Sequence, residues 1–307
     1  SFLVYLPFCF SAVIPHDASE LENFLVQQQF TCEPAPANGA VLFSFQSFTR
    51  YGFATALHHV SLALAYAAET GRMLIVQEAD DWIYAKGGAG RGCDDPDSET
   101  CCRGGFTCFF LPVTTCSIGQ VAPSMGRGRP PVLSPTSVDS PVVRYTSAAP
   151  CYTETMDKTK AYANLWYRAH LMQFLLVPHE HLLRRFAEAQ AEWGWGPDDR
   201  VLGIHVRQGD KGVEVGRLKT WAQYQQRIGA DIDPAQVDLV FVTSDSPDVI
   251  QQAKEALPGL GFPKVVAFEE RRTNGAVHKL LTDGKEDGLE QGTIALSNIW
   301  LLSQCDR

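Results

Sequence analysis

The stretch VLGIHVRQGDK at 201–211 constrains most sharply what this chain can fold into. Val201, Leu202, Ile204 and Val206 form an apolar run that predicts a strand buried on both faces, the pattern of a parallel sheet. The run stops abruptly after Val206. His205, Arg207, Asp210 and Lys211 then emerge at its carboxyl end, which is where ligands bind in open α/β sheets. A planar guanidinium beside an imidazole suits a phosphate-bearing ligand, because Arg can bond two phosphate oxygens at once, with about 1.5–3 kcal/mol per charge-assisted bond. Gly209 would let the backbone come close to such a ligand. The plainer alternative is a surface pair between Arg207 and Asp210, with His205 a satisfied core residue.

The same rhythm recurs on both sides of that stretch. Residues 40–45 read as a strand, RYGFATALHH leads into a helix running to about Thr70, and RMLIVQ is a second apolar strand, together a βαβ unit. Leu57, Val60 and Leu64 give that helix its apolar face. The turn Tyr51-Gly52-Phe53 lies where a helix N-terminus could take a phosphate, or is an ordinary tight turn. Residues 80–116 form a Cys- and Gly-rich loop, and 119–150 read as an irregular connection. Helical pattern returns at 155–176 and 179–193, broken at Pro178. A second α/β region follows, with strands at 201–207, 238–243 and 265–268 and helices at 221–228, 247–257 and 290–303. Asp245, at the end of its strand, is either the N-cap of the next helix or a ligand group.

These elements predict an α/β protein of two facing doubly wound domains. The expected divisions are 1–31 as lead-in, 32–150 as an N-terminal α/β domain with a disulfide-rich loop, 151–199 as a helical connection, and 200–307 as a Rossmann-like nucleotide domain. The rhythm calls for another strand after Cys305-Asp306-Arg307, so the C-terminal domain is read as truncated.

Composition narrows the function classes. With 45% hydrophobic and 20% charged residues the chain is of globular type. A net charge of −9 argues against general nucleic-acid binding, which wants a basic face. Any polyphosphate must therefore be held by a local cluster such as Arg207 and Lys211. Of nine cysteines, Cys93, Cys101, Cys102, Cys108 and Cys116 crowd one loop. That crowding favours disulfides in an oxidising compartment over zinc, whose ligand spacings are not met. An odd number leaves at least one thiol unpaired within the chain. The opening SFLVYLPFCFSAVIP is too short to span a bilayer in full and reads either as the tail of a signal peptide or membrane anchor or as a buried strand.

Several ordered segments together resemble the α1,6-fucosyltransferase family: LHHVSLALAYAAETGRMLIVQEADDWIYAKGG, CFFLPVTTC, WYRAHLMQFLLVPHEHL, GIHVRQGDK, TSDSPDVIQQAKEALP and LSNIWLLSQCD, running from about Cys32 to Arg307. The resemblance implies a GT-B-like arrangement of the two domains and an inverting, metal-independent transfer of fucose from GDP-fucose to a glycan containing N-acetylglucosamine, an N-glycan core or a chitin-like oligomer. No cofactor is implied, and the expected location is the secretory pathway, in the Golgi lumen. By position, His205 looks like the guanine-contacting histidine, Arg207 like the arginine on the β-phosphate, and Tyr84 like the tyrosine against the ribose. Gly52, Phe53 and Thr55 resemble the loop beside the diphosphate. Asp245 matches the first of two acidic residues, with Ser246 in place of the second. The family's bridge suggests a Cys32–Cys116 disulfide.

Departures are specific. Gln208 stands where the family often has a second Arg. The acidic residue expected near the acceptor hydroxyl aligns with Val215, so the neighbouring Glu214 is the expected base, with Asp210 as second choice. Asn298 replaces a guanine-reading Asp and can accept a hydrogen bond but offers no charge. Arg207 and Lys211 would neutralise charge growing on the leaving diphosphate. The two D-x-D spacings, Asp95-Pro96-Asp97 and Asp231-Ile232-Asp233, end no strand, so no metal site is expected. A non-catalytic glycan- or GDP-binding protein of the same fold, or a transferase using another GDP-sugar, are the alternatives.

Overall fold

The computed structural model describes residues 17–32, 39–48, 51–77, 82–86, 104–121, 131, 140, 142–146, 161–208, 218–268 and 277–306. The chain divides into two compact units, Ser1–His179 and Glu180–Arg307.

The first unit opens with helix α1 (Ala18–Phe30), N-capped by Asp17, whose carboxylate accepts the amides of Ser19 and Glu20. Strands β1 (Ala40–Phe43), β2 (Met73–Val76) and β3 (Val142–Tyr145) form a parallel sheet in the order β2-β1-β3. All four residues of the central strand are buried, as expected for a parallel strand covered on both faces. Helix α2 (Phe53–Glu69) crosses from β1 to β2, and its thirteen buried residues explain why its sequence is apolar nearly all round. It stops at Gly71, whose φ of 63° only glycine adopts easily. The Gly71 amide then bonds Ala68 O at 3.2 Å and the Arg72 amide bonds Ala67 O at 2.8 Å, a Schellman closure that turns the chain into β2.

β2 is an edge strand, and α1 covers part of that edge: the fully buried Gln29 accepts the Leu74 amide at 3.0 Å. Thr114 donates to the carbonyl of Gln29, and the Cys32–Cys116 disulfide closes the same corner across a sequence separation of 84. The predicted pairing of those two cysteines is therefore present. Cys108 is disulfide-bonded as well, and Cys305 is a free thiol. A short helix α3 (Ile118–Val121) and helix α4 (Ala161–Leu175) complete the unit, with α4 packed on both α1 and α2.

The second unit begins with α5 (Glu180–Glu192), which buries Leu182, Phe186 and Ala189 at helical spacing. Strands β4 (Val201–Val206), β5 (Leu239–Ser244) and β6 (Val265–Val266) follow in a parallel sheet ordered β4-β5-β6. Between and after them lie α6 (Trp221–Asp231), α7 (Pro247–Ala256), α8 (Val277–Thr282) and α9 (Gly288–Ser303). Leu202, Ile204, Val240 and Val242 pack against Trp221 of α6 and Val249, Ile250 and Ala253 of α7. On the other side, Gly203 faces the end of α9, where an added Cβ would sit 2.9 Å from Cys305 Sγ. Helices thus cover both faces of the sheet, as a doubly wound unit requires.

Three elements differ from the sequence expectation. Residues 18–30 fold as α1 rather than as a plain lead-in, because Asp17 caps a run whose Leu21, Leu25 and Gln29 share one buried face. β3 lies inside the stretch read as irregular; four residues are too few to show periodicity, and pairing with β1 decides the outcome. α8 was not anticipated at all. Among the described residues no helix is long and apolar enough to cross a membrane.

Candidate active site

β4 and β5 pair in register, with His205 beside Thr243 and Val206 beside Ser244. The next residue on each strand is therefore Arg207 on one and Asp245 on the other, and their side chains form an ion pair. Asp245 is only 14% exposed and Arg207 43%. The second carboxylate oxygen of Asp245 accepts the Gln208 amide at 2.7 Å. Asp245 is thus not a helix cap; that position belongs to Ser246, ahead of Pro247. Arg207 thus pairs with Asp245 on the neighbouring strand, and the expected pair with Asp210, like Lys211 and Glu214, lies outside the described residues.

Further bonds stiffen the strand ends. Ser244 donates to Val206 O at 2.7 Å and its hydroxyl oxygen accepts the Ser246 amide at 3.1 Å. The amino end of α7 consequently starts from a fixed point, and its unpaired amides and dipole add partial positive charge there.

His205 is exposed, so it is not the core histidine of the plainer alternative. Partial desolvation of its ring holds its pKa below the ordinary value, Asp245 pulls it up and Arg207 pushes it down. The ring is therefore neutral at pH 7, able to donate from one nitrogen and accept at the other. In α9, Asn298 donates from Nδ2 to Ile294 O at 2.9 Å, while its Oδ1 is buried and has no hydrogen-bond partner among the described residues. An orphaned buried acceptor is costly unless something donates to it.

The first-unit residues have their own setting. Gly52 is the N-cap of α2, and nothing lies within 4 Å of where a Cβ would be. Thr55 is exposed in the first helical turn, so this end of α2 presents free amides to solvent. Phe53 is only 4% exposed and stacks on Trp82 at 5.0 Å, so its side chain serves the core and only its backbone could meet a ligand. Tyr84 is 5% exposed, with its ring edge-on to Phe53 at 5.3 Å.

A cluster that the sequence did not signal joins α2 to α4. Arg168 places Nη2 against both ring nitrogens of His58, 2.9 Å from Nε2. Burial first, then Arg168, then His59, push the His58 pKa down to about 4. Burial and, secondarily, Glu69 raise that of Tyr167. Residues separated by 110 positions carry no local sequence signal of their contact. Among the described residues no group of three or more His, Cys, Asp or Glu could hold a metal ion.

A parallel α/β sheet here carries a guanidinium, an imidazole and a helix N-terminus at its carboxyl edge, where ligands bind in open α/β sheets. The chain belongs to the α1,6-fucosyltransferase family of glycosyltransferase enzymes: the family model "Alpha-(1,6)-fucosyltransferase N- and catalytic domains" matches residues 48–306. Among solved structures it is similar to NodZ α-1,6-fucosyltransferase co-crystallized with GDP, at 17% identity and a TM-score of 0.48, covering 87% of this chain and 86% of that one. Fucosyltransferase NodZ from Bradyrhizobium gives the same values. The NodZ structure soaked with GDP-fucose is similar at 18% identity and a TM-score of 0.45, with 87% and 86% covered. No curated protein matches.

Proposed function

We propose that the chain moves fucose from GDP-fucose to a glycan containing N-acetylglucosamine, an N-glycan core or chitin-like oligomer, forming an α1,6 linkage with inversion and without a metal. The observation that carries this reading is Arg207 at the carboxyl end of β4, aimed by Asp245 and flanked by the neutral His205. The acceptor 6-hydroxyl attacks the fucose anomeric carbon, the bond from that carbon to the β-phosphate oxygen breaks, and GDP leaves with the electron pair. Arg207, with Lys211, stabilises the growing diphosphate charge, and such fixed electrostatics is usually the largest catalytic contribution. Glu214, or failing that Asp210, takes the hydroxyl proton, contributing about 10²–10⁴-fold. His205 and the orphan Oδ1 of Asn298 read guanine. The Cys32–Cys116 disulfide supports a location in the secretory pathway, and we place the enzyme in the Golgi lumen, with a membrane anchor at the N-terminal side.

The test is calorimetric titration of GDP, with UDP and ADP as controls, into the wild type and Arg207→Ala, followed by GDP release from GDP-fucose with N-acetylglucosamine oligomers for wild type and Glu214→Gln. Selective GDP binding lost in the first variant and turnover lost in the second support the proposal. Equal binding of all three nucleotides sinks it. GDP binding without turnover points instead to a non-catalytic binding protein.

A further inference from the structure

Residues 206–208, where the chain leaves β4, are each held by a side chain from the end of β5. Val206 is the last residue of β4 and pairs in register with Ser244, the last residue of β5. The Ser244 hydroxyl donates to the Val206 carbonyl at 2.7 Å, and the Asp245 carboxylate takes the Arg207 guanidinium and the Gln208 amide. The same hydroxyl oxygen accepts the amide of Ser246, the N-cap of α7, at 3.1 Å. Asp245 therefore lies between two residues that are bonded to each other. Ser244 is 3% exposed, and side chains alternate along a strand, which puts it on the face where Val240 and Val242 meet α6 and α7. By the same alternation the ion pair of Arg207 and Asp245 belongs to the opposite face. Ser244 acts on that pair through the backbone and not by contact.

We infer that Ser244 is a positioning residue for donor binding: its hydroxyl joins the end of β4, the exit from β5 and the start of α7, and so sets the direction in which Asp245 holds Arg207. The inference rests on the function proposed above, in which Arg207 meets the diphosphate of the donor. The chemistry asks for a hydroxyl. One group must donate to a carbonyl and accept from an amide at once, which Ser and Thr do and Ala and Val do not. Without it the Val206 carbonyl and the Ser246 amide both lose this partner, and the backbone at Asp245 is free to turn. A carboxylate that turns holds the guanidinium for a smaller fraction of the time in the orientation a ligand selects. Donor affinity should then fall although no group that touches the donor has changed.

The experiment compares wild type, Ser244→Ala, Ser244→Thr and Ser244→Val as full chains, with thermal melts to establish folding. Calorimetry reads the affinity for GDP and for guanosine, which lacks the diphosphate. Ser244→Ala should weaken GDP binding about three- to tenfold, the scale of one neutral hydrogen bond, and leave guanosine binding within about twofold. Thr and Val have nearly the same shape, so Ser244→Thr should keep the GDP affinity and Ser244→Val should lose it. In the Arg207→Ala background Ser244→Ala should cost no further GDP affinity, because the group it directs is gone. Equal losses for GDP and guanosine, equal behaviour of the Thr and Val variants, or an undiminished loss in the Arg207→Ala background overturns the inference. Should the Ala and Val chains not fold, Ser244→Cys, a near isostere with a weak donor, takes their place. A wild type that binds no GDP overturns the proposed function and the role in donor binding with it. A double-mutant cycle of Ser244→Ala with Asp245→Ala in urea melts still decides whether the hydroxyl steers Asp245, and additive losses refute that.

Discussion

Asp245 bonds Arg207 through one carboxylate oxygen and the Gln208 amide through the other, so one side chain at the end of β5 fixes two consecutive residues at the end of β4. The arrangement holds the half-exposed Arg207 side chain against β5.

Replacing Arg207 by Ala should weaken GDP binding about ten- to a hundredfold, the size of one charge-assisted bond. Arg207→Lys should restore only part, since an ammonium cannot fork onto two oxygens. Asp245→Ala should weaken binding several-fold by freeing the guanidinium, and Asp245→Asn less, because its oxygen still accepts the Gln208 amide. Calorimetry at fixed salt decides; an Asp245→Ala chain that binds GDP as wild type does would refute the aiming role.

His205 is held neutral by desolvation, and its folded pKa lies below the ordinary 6.5. GDP affinity should therefore be flat from pH 8 down to about 6.5 and change only in more acidic buffer. His205→Ala should reduce preference for GDP over UDP and leave the residual pH dependence flatter. A midpoint above 6.5 in the wild-type affinity profile would contradict this.

His58 has a folded pKa of about 4, below its unfolded value of 6.5. Between those values the unfolded chain binds the proton that the fold rejects, so this residue's contribution to stability is complete above pH 6.5 and is lost as pH falls towards 4. Thermal melts across that window should show a decline that His58→Gln flattens. A decline of equal size in the variant would assign the acid sensitivity elsewhere.

Gly203→Ala would set a methyl 2.9 Å from Cys305 Sγ and 3.2 Å from Leu302 Cδ2. Overpacking of this kind costs about 1–3 kcal/mol. Adding Cys305→Ala should return part of that loss in a double-mutant cycle, because the closest clash is with the sulfur. Additive losses in urea melts would show that α9 does not press on β4 at this point.

The Cys32–Cys116 bond closes a loop with a sequence separation of 84. Chain entropy alone gives such a cross-link about 4.5 kcal/mol. Cys32→Ser with Cys116→Ser should lower the midpoint of thermal unfolding markedly, and dithiothreitol should lower that of the wild type by more than that of the variant, which keeps the bond at Cys108.

What the sequence made legible follows from how local its signals are. Dense apolar runs at 201–206 and 239–243 could only be buried parallel strands, and the helices after them carried caps or helical spacing. β3 was invisible because four residues hold no period and only the pairing with β1 defines them. α1 was missed because its buried face includes Gln29, a polar residue whose reason for burial is a bond to Leu74. At the site, His205, Arg207 and Asp245 were legible as polar groups ending apolar strands. Their mutual contact was not, because it depends on strand register rather than on any spacing along the chain. Arg168 against His58 is the extreme case, a meeting of two helices that no window of sequence contains.

The pairing of Val206 with Ser244 has one more consequence. Arg207 and Asp245 stand opposite each other because the main-chain ladder beneath them is in that register, not because a loop happens to hold them there. The ion pair is therefore a portable property of two strands. A chimera that exchanges the connections around β4 and β5 but keeps their ladder should inherit it, whereas a frame slip of one residue should abolish it even with every loop intact.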